Sequence, residues 1–459
     1  MLDLTLGHHR KTERRASPRY PLALPVCLDD QLYGTTLNVS RDGACVAVPS
    51  NLPLFDTPTF SSLKVKLSNT ERFTIPAIPV WHEKTSGGRL TVGVRFLESG
   101  QLNPEQLEAA YKGFARIIDD KFASETRKTR NLIEEIKLQC DLYDQGHPGE
   151  EDRLHFLARI EQEAVAKLDT AFAKVWKLYT EIPSEGQRAH QLYFQMMLHD
   201  LVEENIEVNR HIYRKPLGYA GDFIMMNYIY NYHDGAYVGA TTFERLVNHY
   251  TCSIPISKSN IGRKEFLKQQ ILSTIERCDQ PRILSVGSGP LRELTELVRE
   301  GRFSKQVWFS CVDFEQRAIE HFKNEIEGLE PEKRNLVSLE FIVGNVVAII
   351  RNKSVRERLR GYDLVYTFGI FDYLSDRLSS ALLNQLYESA REKGRLIVIN
   401  ASLDTSSHRA YYELLGEWNM YHRMESEMLR WFREDLRSAV RFEKYPSCPG
   451  YLLLVLDKQ

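Results

Sequence analysis

The chain has 459 residues, of which 42% are hydrophobic and 27% are charged, and its formal net charge is -2 at pH 7. This length and composition are typical of a globular protein of about three domains. The small net charge excludes a global electrostatic attraction to nucleic acid or to an acidic membrane, so any anion site must be local.

The first hundred residues contain short apolar runs that are separated by Gly, Asp, Asn and Ser. Such runs are typical of β-strands, and their spacing predicts a small, six-stranded β-barrel. The runs are LALPVCL, GTTLNVS, GACVAVP, LKVKL, FTIPAIPVW and LTVGVRF.

Two polar motifs lie near the start of this region. The first, RRASPRY, contains Arg15 and Arg19, and the second, NVSRDG, contains Asn38, Ser40 and Gly43. Arginine pairs with phosphate oxygens or a guanine edge and stacks on a base, although neither motif is specific on its own. We expect both arginines to lie on an arm that precedes the first strand. Asn38 and Ser40 alternate along a strand end and face one side, and Gly43 permits the following turn.

In this order the motifs resemble the RxxxR and (D/N)xSxxG pattern of the PilZ domain. The resemblance extends over roughly residues 13–115 and includes the closing GVRF run. PilZ domains bind the bacterial second messenger cyclic di-GMP, so the resemblance implies that this nucleotide is a regulatory ligand, with Arg14 as an additional cation. We assign residues 1–115 to this domain. The alternative is a basic tail followed by a polar turn.

Helical periodicity dominates the middle region, which we assign to residues 116–244. Apolar residues recur at steps of three and four, and the runs DQGHPGEED and IPSEGQ interrupt the pattern. A plain helical bundle joining two domains accounts for it. The alternatives are a transmission element, or an interface for a protein partner or a homodimer through LHFLARIEQEAVAKLDTAFAKVWKLY.

Strand-like and helix-like runs alternate in residues 245–459. This alternation predicts a mostly parallel sheet with helices on both faces, that is, a Rossmann-like α/β domain. The strand-like runs are PRILSV, QVWFSCVDF, LEFIVGN, YDLVYTFGIF, GRLIVINAS and YLLLVL.

A nucleotide site is predicted where the first of these strands ends. Gly287 and Gly289 form a glycine turn before a helix, and Asp313 ends the second strand. A carboxylate at that position can accept both ribose hydroxyls of a nucleotide. Leu291 follows where a dinucleotide fingerprint has its third glycine, which argues against a pyrophosphate ligand.

The order of these motifs resembles the class I S-adenosylmethionine-dependent methyltransferases. The resemblance implies that Gly287 and Gly289 lie against the methionine part of S-adenosylmethionine and that Asp313 binds the ribose. It also implies that Val312 or Phe314 lies beside the adenine, with Gly344 and Asn345 in the loop that contacts the adenine amino group. Three positions depart from the pattern, namely Ser285, Leu291 and Asn345, and they leave open an inactive domain.

A narrower resemblance covers roughly residues 190–459. The runs RKPLGYAGDFIMMNYIY, GIFDYLSD and GEWNMYHR are similar to a bacterial methyltransferase group described as extracellular-factor, 3-hydroxypalmitic acid methyl ester biosynthesis proteins. This resemblance implies a small or fatty-acyl carboxylate as the methyl acceptor.

Ester formation from a carboxylate needs alignment and a dry pocket more than a general base. The candidate catalytic residues are Tyr219 and Asp222, in a glycine-flanked turn that could close as a lid, and Tyr373. Turn chemistry is the alternative for the first two, and core packing is the alternative for Tyr373. Three cations are candidates to hold the acceptor carboxylate: Arg214, Arg409 and Arg423.

The combined prediction is a cytoplasmic, bacterial signalling enzyme that is regulated by cyclic di-GMP and transfers a methyl group from S-adenosylmethionine. The alternatives are a cyclic di-GMP-responsive adaptor with a non-catalytic methyltransferase-like domain, and an enzyme that methylates protein carboxylates. We expect no nucleic-acid polymer as a partner, since no NPPY or DPPY run is present.

Cysteine usage and hydropathy bear on location. The seven cysteines form no CxxC pair, which predicts reduced thiols and argues against structural zinc, and no clustered His and Cys spacing suggests a metal. The N-terminus has no signal-peptide pattern and no run of about eighteen apolar residues occurs, so we expect no membrane span.

Overall fold

The structure is a computed structural model, which describes most of the chain in eleven ranges. Those ranges are 19–20, 25–28, 32–40, 43–49, 62–66, 72–85, 89–97, 118–202, 206–236, 238–403 and 408–459. The chain divides into two compact units: the first contains Met1–Ala123 and Ile182–Met196, and the second contains Ser124–Glu181 and Met197–Gln459. Most of the helical region therefore groups with the C-terminal sheet.

The first unit contains an antiparallel sheet of seven strands. The strands are β1 Arg19–Tyr20, β2 Pro25–Leu28, β3 Leu32–Ser40, β4 Gly43–Pro49, β5 Ser62–Lys66, β6 Arg72–Thr85 and β7 Arg89–Phe96. Their order is β1-β3-β2-β5-β6-β7-β4, and β4 also pairs with β3. Apolar side chains from alternate positions, such as Val39, Leu63 and Val92, are fully buried and form the core of this unit.

The position of Arg19 differs from the sequence prediction. Arg19 does not precede the first strand on an arm; with Tyr20 it forms β1, in which Arg19 pairs with Ser40 and Tyr20 with Val39 of β3. Two residues are too few to produce a recognisable alternation, so the sequence pattern could not reveal this strand. Arg14 and Arg15 lie outside the described residues.

Seven helices lie in the described residues between the two sheets. They are α1 Asp120–Asp144, α2 Glu150–Glu181, α3 Ser184–Val202, α4 Glu207–Arg214, α5 Phe223–His233, α6 Thr242–Ser253 and α7 Pro255–Arg277. The predicted interruptions at DQGHPGEED and IPSEGQ are confirmed, because they fall between α1 and α2 and between α2 and α3. The apolar side of α2 packs within the second unit, where the Phe172 ring contacts the rings of Tyr250 and Tyr411.

The second unit contains a seven-stranded sheet whose order is β10-β9-β8-β11-β12-β14-β13. The strands are β8 Arg282–Val286, β9 Val307–Asp313, β10 Val337–Val343, β11 Tyr362–Thr367, β12 Ala390–Ala401, β13 Arg441–Glu443 and β14 Tyr451–Asp457. The first five strands are parallel, and β14 lies antiparallel between β12 and β13. The strand order reverses between β8 and β11, which is where ligands bind in open α/β sheets.

Helices and short turns connect these strands. They are α8 Arg292–Arg299, α9 Gln316–Glu327, α10 Pro331–Arg334, α11 Val346–Arg351, α12 Lys353–Arg358, a 3-10 helix Ile370–Tyr373, α13 Asp376–Ser389, a π-helix Ala410–Leu415, α14 Glu425–Leu429 and α15 Glu434–Arg437. The six strand-like runs that the sequence indicates are all strands, and β13 is an additional strand of three residues.

The described helices include none with both the length and the apolar composition needed to cross a lipid bilayer.

Candidate functional site

The glycine turn lies at the carboxyl end of β8, beside the point where the strand order reverses. Gly287 and Gly289 have φ angles of +67° and +55°, which favour glycine. The Gly287 amide donates to the Val312 carbonyl at 2.8 Å, and a Cβ added at Gly287 would lie 3.1 Å from Cβ of Ile370. At Gly289 an added Cβ would meet no atom within 4 Å, so the turn is open on that side.

Asp313 closes this turn from the neighbouring strand. Its carboxylate is 5% exposed and accepts hydrogen bonds from the amides of Gly289 at 2.8 Å and Glu315 at 2.9 Å. Burial raises the pKa of Asp313, although these amides partly offset the effect. The turn and the acidic side chain that the sequence singled out are thus joined by a direct hydrogen bond.

Three large apolar side chains are exposed in this region: Phe314 (51%) directly after β9, Val343 (61%) at the end of β10 and Val347 (46%) in α11. Gly344 lies among them, and a Cβ added there would meet no atom within 4 Å. Exposed apolar surface next to an open backbone is typical of a ligand site.

Asn345 has a structural role beside this apolar surface. Its side-chain oxygen accepts a hydrogen bond from the Ala348 amide at 3.0 Å and caps α11. The same oxygen cannot simultaneously be fully available to a ligand, but the side-chain amide group remains a donor.

A buried acid below the glycine turn was missed by sequence reasoning. Glu293 is 1% exposed and accepts a hydrogen bond from the Tyr366 hydroxyl at 2.7 Å. Burial raises the pKa of Glu293 to about 7, against the opposing effect of this hydrogen bond. Tyr366 pairs in register with the fully buried Ser285, the position at which the sequence lacks an acid. Nothing in a lone helical glutamate signals this burial.

Tyr373 and Tyr219 lie together at the carboxyl edge of the sheet, in an aromatic wall that continues to Phe314 and Trp418. The Tyr219 ring lies 5.7 Å from the ring of Tyr373 and 5.6 Å from the ring of Phe314. The Trp418 indole donates to the Tyr373 hydroxyl at 2.8 Å. Burial raises the pKa of both tyrosine hydroxyls, so neither phenol ionises near neutral pH and neither is suited to act as a general base.

Asp222 is buried at 0% exposure and caps α5 through a hydrogen bond from the Met225 amide at 3.0 Å. His211 lies 2.9 Å from both carboxylate oxygens. Through these contacts Asp222 holds the turn that carries Tyr219 in place. The sequence analysis gave this structural role as the alternative to a catalytic one.

The candidate cations differ in their availability. Arg423 is 4% exposed, and its guanidinium donates to the Phe371 carbonyl at 2.9 Å, to Asn400 Oδ1 at 2.6 Å and to Asp376 at 3.0 Å. Arg423 therefore holds the 3-10 helix and the end of β12 together rather than a ligand. Arg409 pairs with Glu413 at 2.7 Å, whereas Arg214 is exposed.

A second buried arginine supports the same edge. The Arg263 guanidinium is 3% exposed and lies between the rings of Phe368 and Tyr451, 4.0 and 4.4 Å from their centroids. A Cβ added at Gly369 would lie 2.8 Å from its Nη1 atom and 3.3 Å from an Asp372 oxygen. Gly369 is therefore required by close approach as well as by its φ angle of +82°.

In the first unit, the second motif lies around the β3–β4 connection. Ser40 is 8% exposed and donates to the Gly43 carbonyl at 3.1 Å, and Asn38 is half-buried on the same strand. Gly43 pairs with Arg95 of β7, and a Cβ added at Gly43 would overlap the Val94 carbonyl oxygen. With Arg19 opposite Ser40, one end of this sheet carries residues of both motifs.

Comparison with known families gives a match in the N-terminal part of the chain. Residues 13–112 match the family described as PilZ domain. This range includes both motifs and all seven strands of the first sheet. No curated protein is similar enough to the chain to count as a match.

Several solved structures are remotely similar. A possible exported protein from Bordetella parapertussis is 13% identical over 68% of this chain and 98% of its own, with a TM-score of 0.37. The S-adenosylmethionine-dependent methyltransferase SibL in its apo form is 14% identical over 66% of this chain and 98% of its own, with a TM-score of 0.36. The magnesium protoporphyrin IX methyltransferase of Synechocystis PCC 6803 with bound SAM is 12% identical over 43% of this chain and 81% of its own, with a TM-score of 0.30. Values this low support no statement about activity.

Proposed function

We propose that the chain is a cyclic di-GMP-regulated, S-adenosylmethionine-dependent methyltransferase that acts on a small or fatty-acyl carboxylate. The observation that carries the methyltransferase part is the direct hydrogen bond between the Gly289 amide and the Asp313 carboxylate at the reversal point of the second sheet. This joins the two elements of a nucleoside site, a glycine turn and a ribose acceptor, in one place.

The sheet topology supports a Rossmann-like domain. Five parallel strands in the order β10-β9-β8-β11-β12 reproduce the 3-2-1-4-5 order of doubly wound folds. In the first unit, the additional pairing of β4 with β3 supports a closed, six-stranded barrel with β1 attached at its side.

The residues present fit S-adenosylmethionine. Asp313 offers a carboxylate to the ribose, Gly289 leaves room for the methionine part beside Gly287, and the exposed Phe314 and Val343 offer apolar surface to adenine. Nothing in this set favours a pyrophosphate, since Leu291 replaces the glycine that a dinucleotide site would need. Leu291 adopts a φ angle of 48° without being glycine, and its side chain is 2% exposed.

S-adenosylmethionine supplies a methyl group on a sulfonium, which leaves as a neutral thioether when a nucleophile takes the methyl group. A carboxylate oxygen can form the new bond with no proton to remove, so the chain needs no general base for this step. The neutral phenols of Tyr219 and Tyr373 are compatible with that requirement, and their rings would exclude water from the reacting atoms.

The proposal for the first unit is that Arg19, Asn38, Ser40 and Gly43, together with Arg14 and Arg15, bind cyclic di-GMP. The pairing of Arg19 with Ser40 supports it, because the two motifs then share one sheet end. Regulation requires cyclic di-GMP to bind two states of the protein with different affinities.

A non-catalytic adaptor is the second candidate. The Asp313 carboxylate already accepts two backbone hydrogen bonds, and the Asn345 side chain caps α11. Both polar side chains therefore have a structural role that does not require a ligand. In that case the second unit would keep the fold and lose the cofactor.

Calorimetric titration with S-adenosylmethionine separates these candidates. The enzyme should bind it, and Asp313→Asn should bind at least ~10-fold more weakly because an amide oxygen replaces a charged acceptor. Asp435→Asn, at a side chain 65% exposed on α15, is the matched control and should bind normally. Absence of binding to the unaltered protein would favour the adaptor. Transfer of labelled methyl to extracted fatty acids rather than to protein would identify the acceptor class.

A further inference from the structure

The aromatic wall points to a role for Tyr219 that differs from acid–base chemistry. We infer that the Tyr219 ring, with Tyr373 beside it, recognises the positive charge of the sulfonium and so makes the site prefer the charged methyl donor to the neutral thioether product. This inference rests on the proposed function and adds a residue that determines ligand specificity.

The position of the ring is the first argument. The Tyr219 ring lies 5.6 Å from the ring of Phe314, which follows the ribose acceptor Asp313, and 5.7 Å from the ring of Tyr373 in the 3-10 helix after β11. Ile370 of the same 3-10 helix as Tyr373 approaches Gly287 of the glycine turn. The sulfonium joins the ribose to the methionine part, so we place it between Asp313 and the glycine turn. The two rings that Tyr219 contacts, Phe314 and Tyr373, belong to the segments that flank these two places.

The charges around the ring are the second argument. Three carboxylates, those of Asp313, Asp222 and Glu315, act on the Tyr219 hydroxyl and raise its pKa in addition to the effect of burial. Arg317 pairs with Glu315 at 2.8 Å, whereas the Asp313 carboxylate accepts hydrogen bonds from the backbone amides of Gly289 and Glu315. An aromatic face in a negative field attracts a cation through both its quadrupole and the nearby charges.

The turn that carries Tyr219 is held rigidly, which a recognition surface requires. Asp222 caps α5 and contacts His211 on one side of the turn. On the other side, Leu217 packs with Phe223 and with Ala318 of α9. A Cβ added at Gly221 would overlap the Tyr373 hydroxyl, so the turn backbone lies directly against the neighbouring aromatic side chain.

The neutral state of the phenol completes the argument. A catalytic base at this position would have to lose its proton, and the carboxylates around Tyr219 oppose that loss. The same carboxylates favour a cation in front of the ring. The surroundings of Tyr219 therefore suit binding of a cation and do not suit proton transfer.

The test compares the affinities of S-adenosylmethionine and S-adenosylhomocysteine, which differ in the charge at sulfur. Tyr219→Leu should weaken binding of S-adenosylmethionine by about 5- to 30-fold relative to its effect on S-adenosylhomocysteine, as expected for loss of a cation–π contact of roughly 1–2 kcal/mol. Tyr219→Phe retains the ring and should leave the ratio of the two dissociation constants unchanged.

Two further measurements keep the test decisive. Phe314→Leu is the matched control: it removes a ring that faces the common adenosine part, and it should weaken both ligands by the same factor. A thermal melt of each variant shows whether it folds; if Tyr219→Leu is unfolded, Tyr219→Met replaces it and carries the same expected change in ratio.

The outcomes distinguish this inference from the proposed function. If the unaltered protein binds neither ligand, the proposed function is wrong. If it binds both, and the ratio of their dissociation constants does not change in the Tyr219 variants, the proposed function stands. Tyr219 then lines the pocket and does not recognise the charge. A loss of affinity that is equal for both ligands would likewise overturn the inference.

Discussion

Arg19 pairs directly with Ser40 across two antiparallel strands, although the two residues belong to different sequence motifs. The pairing fixes the backbone of the arginine relative to Gly43, which follows Ser40 across the β3–β4 connection. Residues of the two motifs thus lie at one end of the sheet, and strand pairing positions the backbone of Arg19.

Arg19→Ala should weaken cyclic di-GMP binding at least ~10-fold, because charge-assisted hydrogen bonds of arginine contribute about 1.5–3 kcal/mol each. Isothermal calorimetry measures the effect. Arg89→Ala is the matched control: Arg89 begins β7 and pairs with Pro49, at the opposite end of the strand from Arg95, which pairs with Gly43. Equal affinities for both variants and the unaltered protein would remove the site assignment.

Gly43→Ala should destabilise the first unit by about 1–3 kcal/mol, the usual cost of forcing an atom into a packed site. The added Cβ would overlap the Val94 carbonyl, so the β4–β7 pairing must shift. Differential scanning calorimetry would record the lower transition temperature. Gly149→Ala is the control, since its Cβ would lie 3.6 Å from the nearest atom, at Asp152, and its melt should stay close to that of the unaltered protein.

Arg423→Met should lower the free energy of unfolding of the second unit by about 3–5 kcal/mol, because the buried acceptors that the guanidinium now satisfies would lose their hydrogen-bond donor. Arg430→Met is the control: Arg430 is 65% exposed and lies 3.6 Å from Glu427, so its loss should cost about 0–1 kcal/mol. Urea titration followed by circular dichroism gives both values. Similar losses for the two variants would mean that Arg423 does not hold the 3-10 helix and β12 together.

Glu293→Gln should stabilise the second unit at pH 8 and have little effect at pH 5. Burial raises the pKa of Glu293 to about 7 in the folded protein, above its ordinary value of about 4.3. The folded state then favours the protonated acid, so stability is greatest below about pH 4.3 and falls as pH rises towards 7. Glutamine remains neutral and still accepts from Tyr366. Melting temperatures across this pH range test it; a difference that is constant with pH would contradict the assignment.

Much of the fold could be predicted from local pattern. Six of the seven strands of the second sheet are apolar runs of five or more residues, and such runs predict strands from the sequence alone. The sequence does not predict β1 and β13, because two or three residues carry no periodicity and these strands form only by pairing with distant strands.

The candidate site could be predicted less completely. The places of Gly287 and Gly289 in a turn and of Asp313 at the end of a strand agree with the prediction, because backbone conformation and strand ends leave a sequence signal. The state of Arg423, Glu293 and Arg263 could not be foreseen, since a charged residue looks the same in sequence whether it faces solvent or is fully buried. Asp222 shows the limit most clearly: its spacing indicates a turn, and the contacts with the Met225 amide and with His211 assign its carboxylate to the fold.

β14 is an interior strand, paired with β12 on one side and β13 on the other. During translation, Ala390–Ala401 must therefore wait with an unpaired edge until Tyr451–Asp457 has left the ribosome. An open, strongly apolar edge recruits strands from other chains. A premature stop codon just before Tyr451 would thus be expected to yield an insoluble, chaperone-bound product instead of a slightly shortened protein.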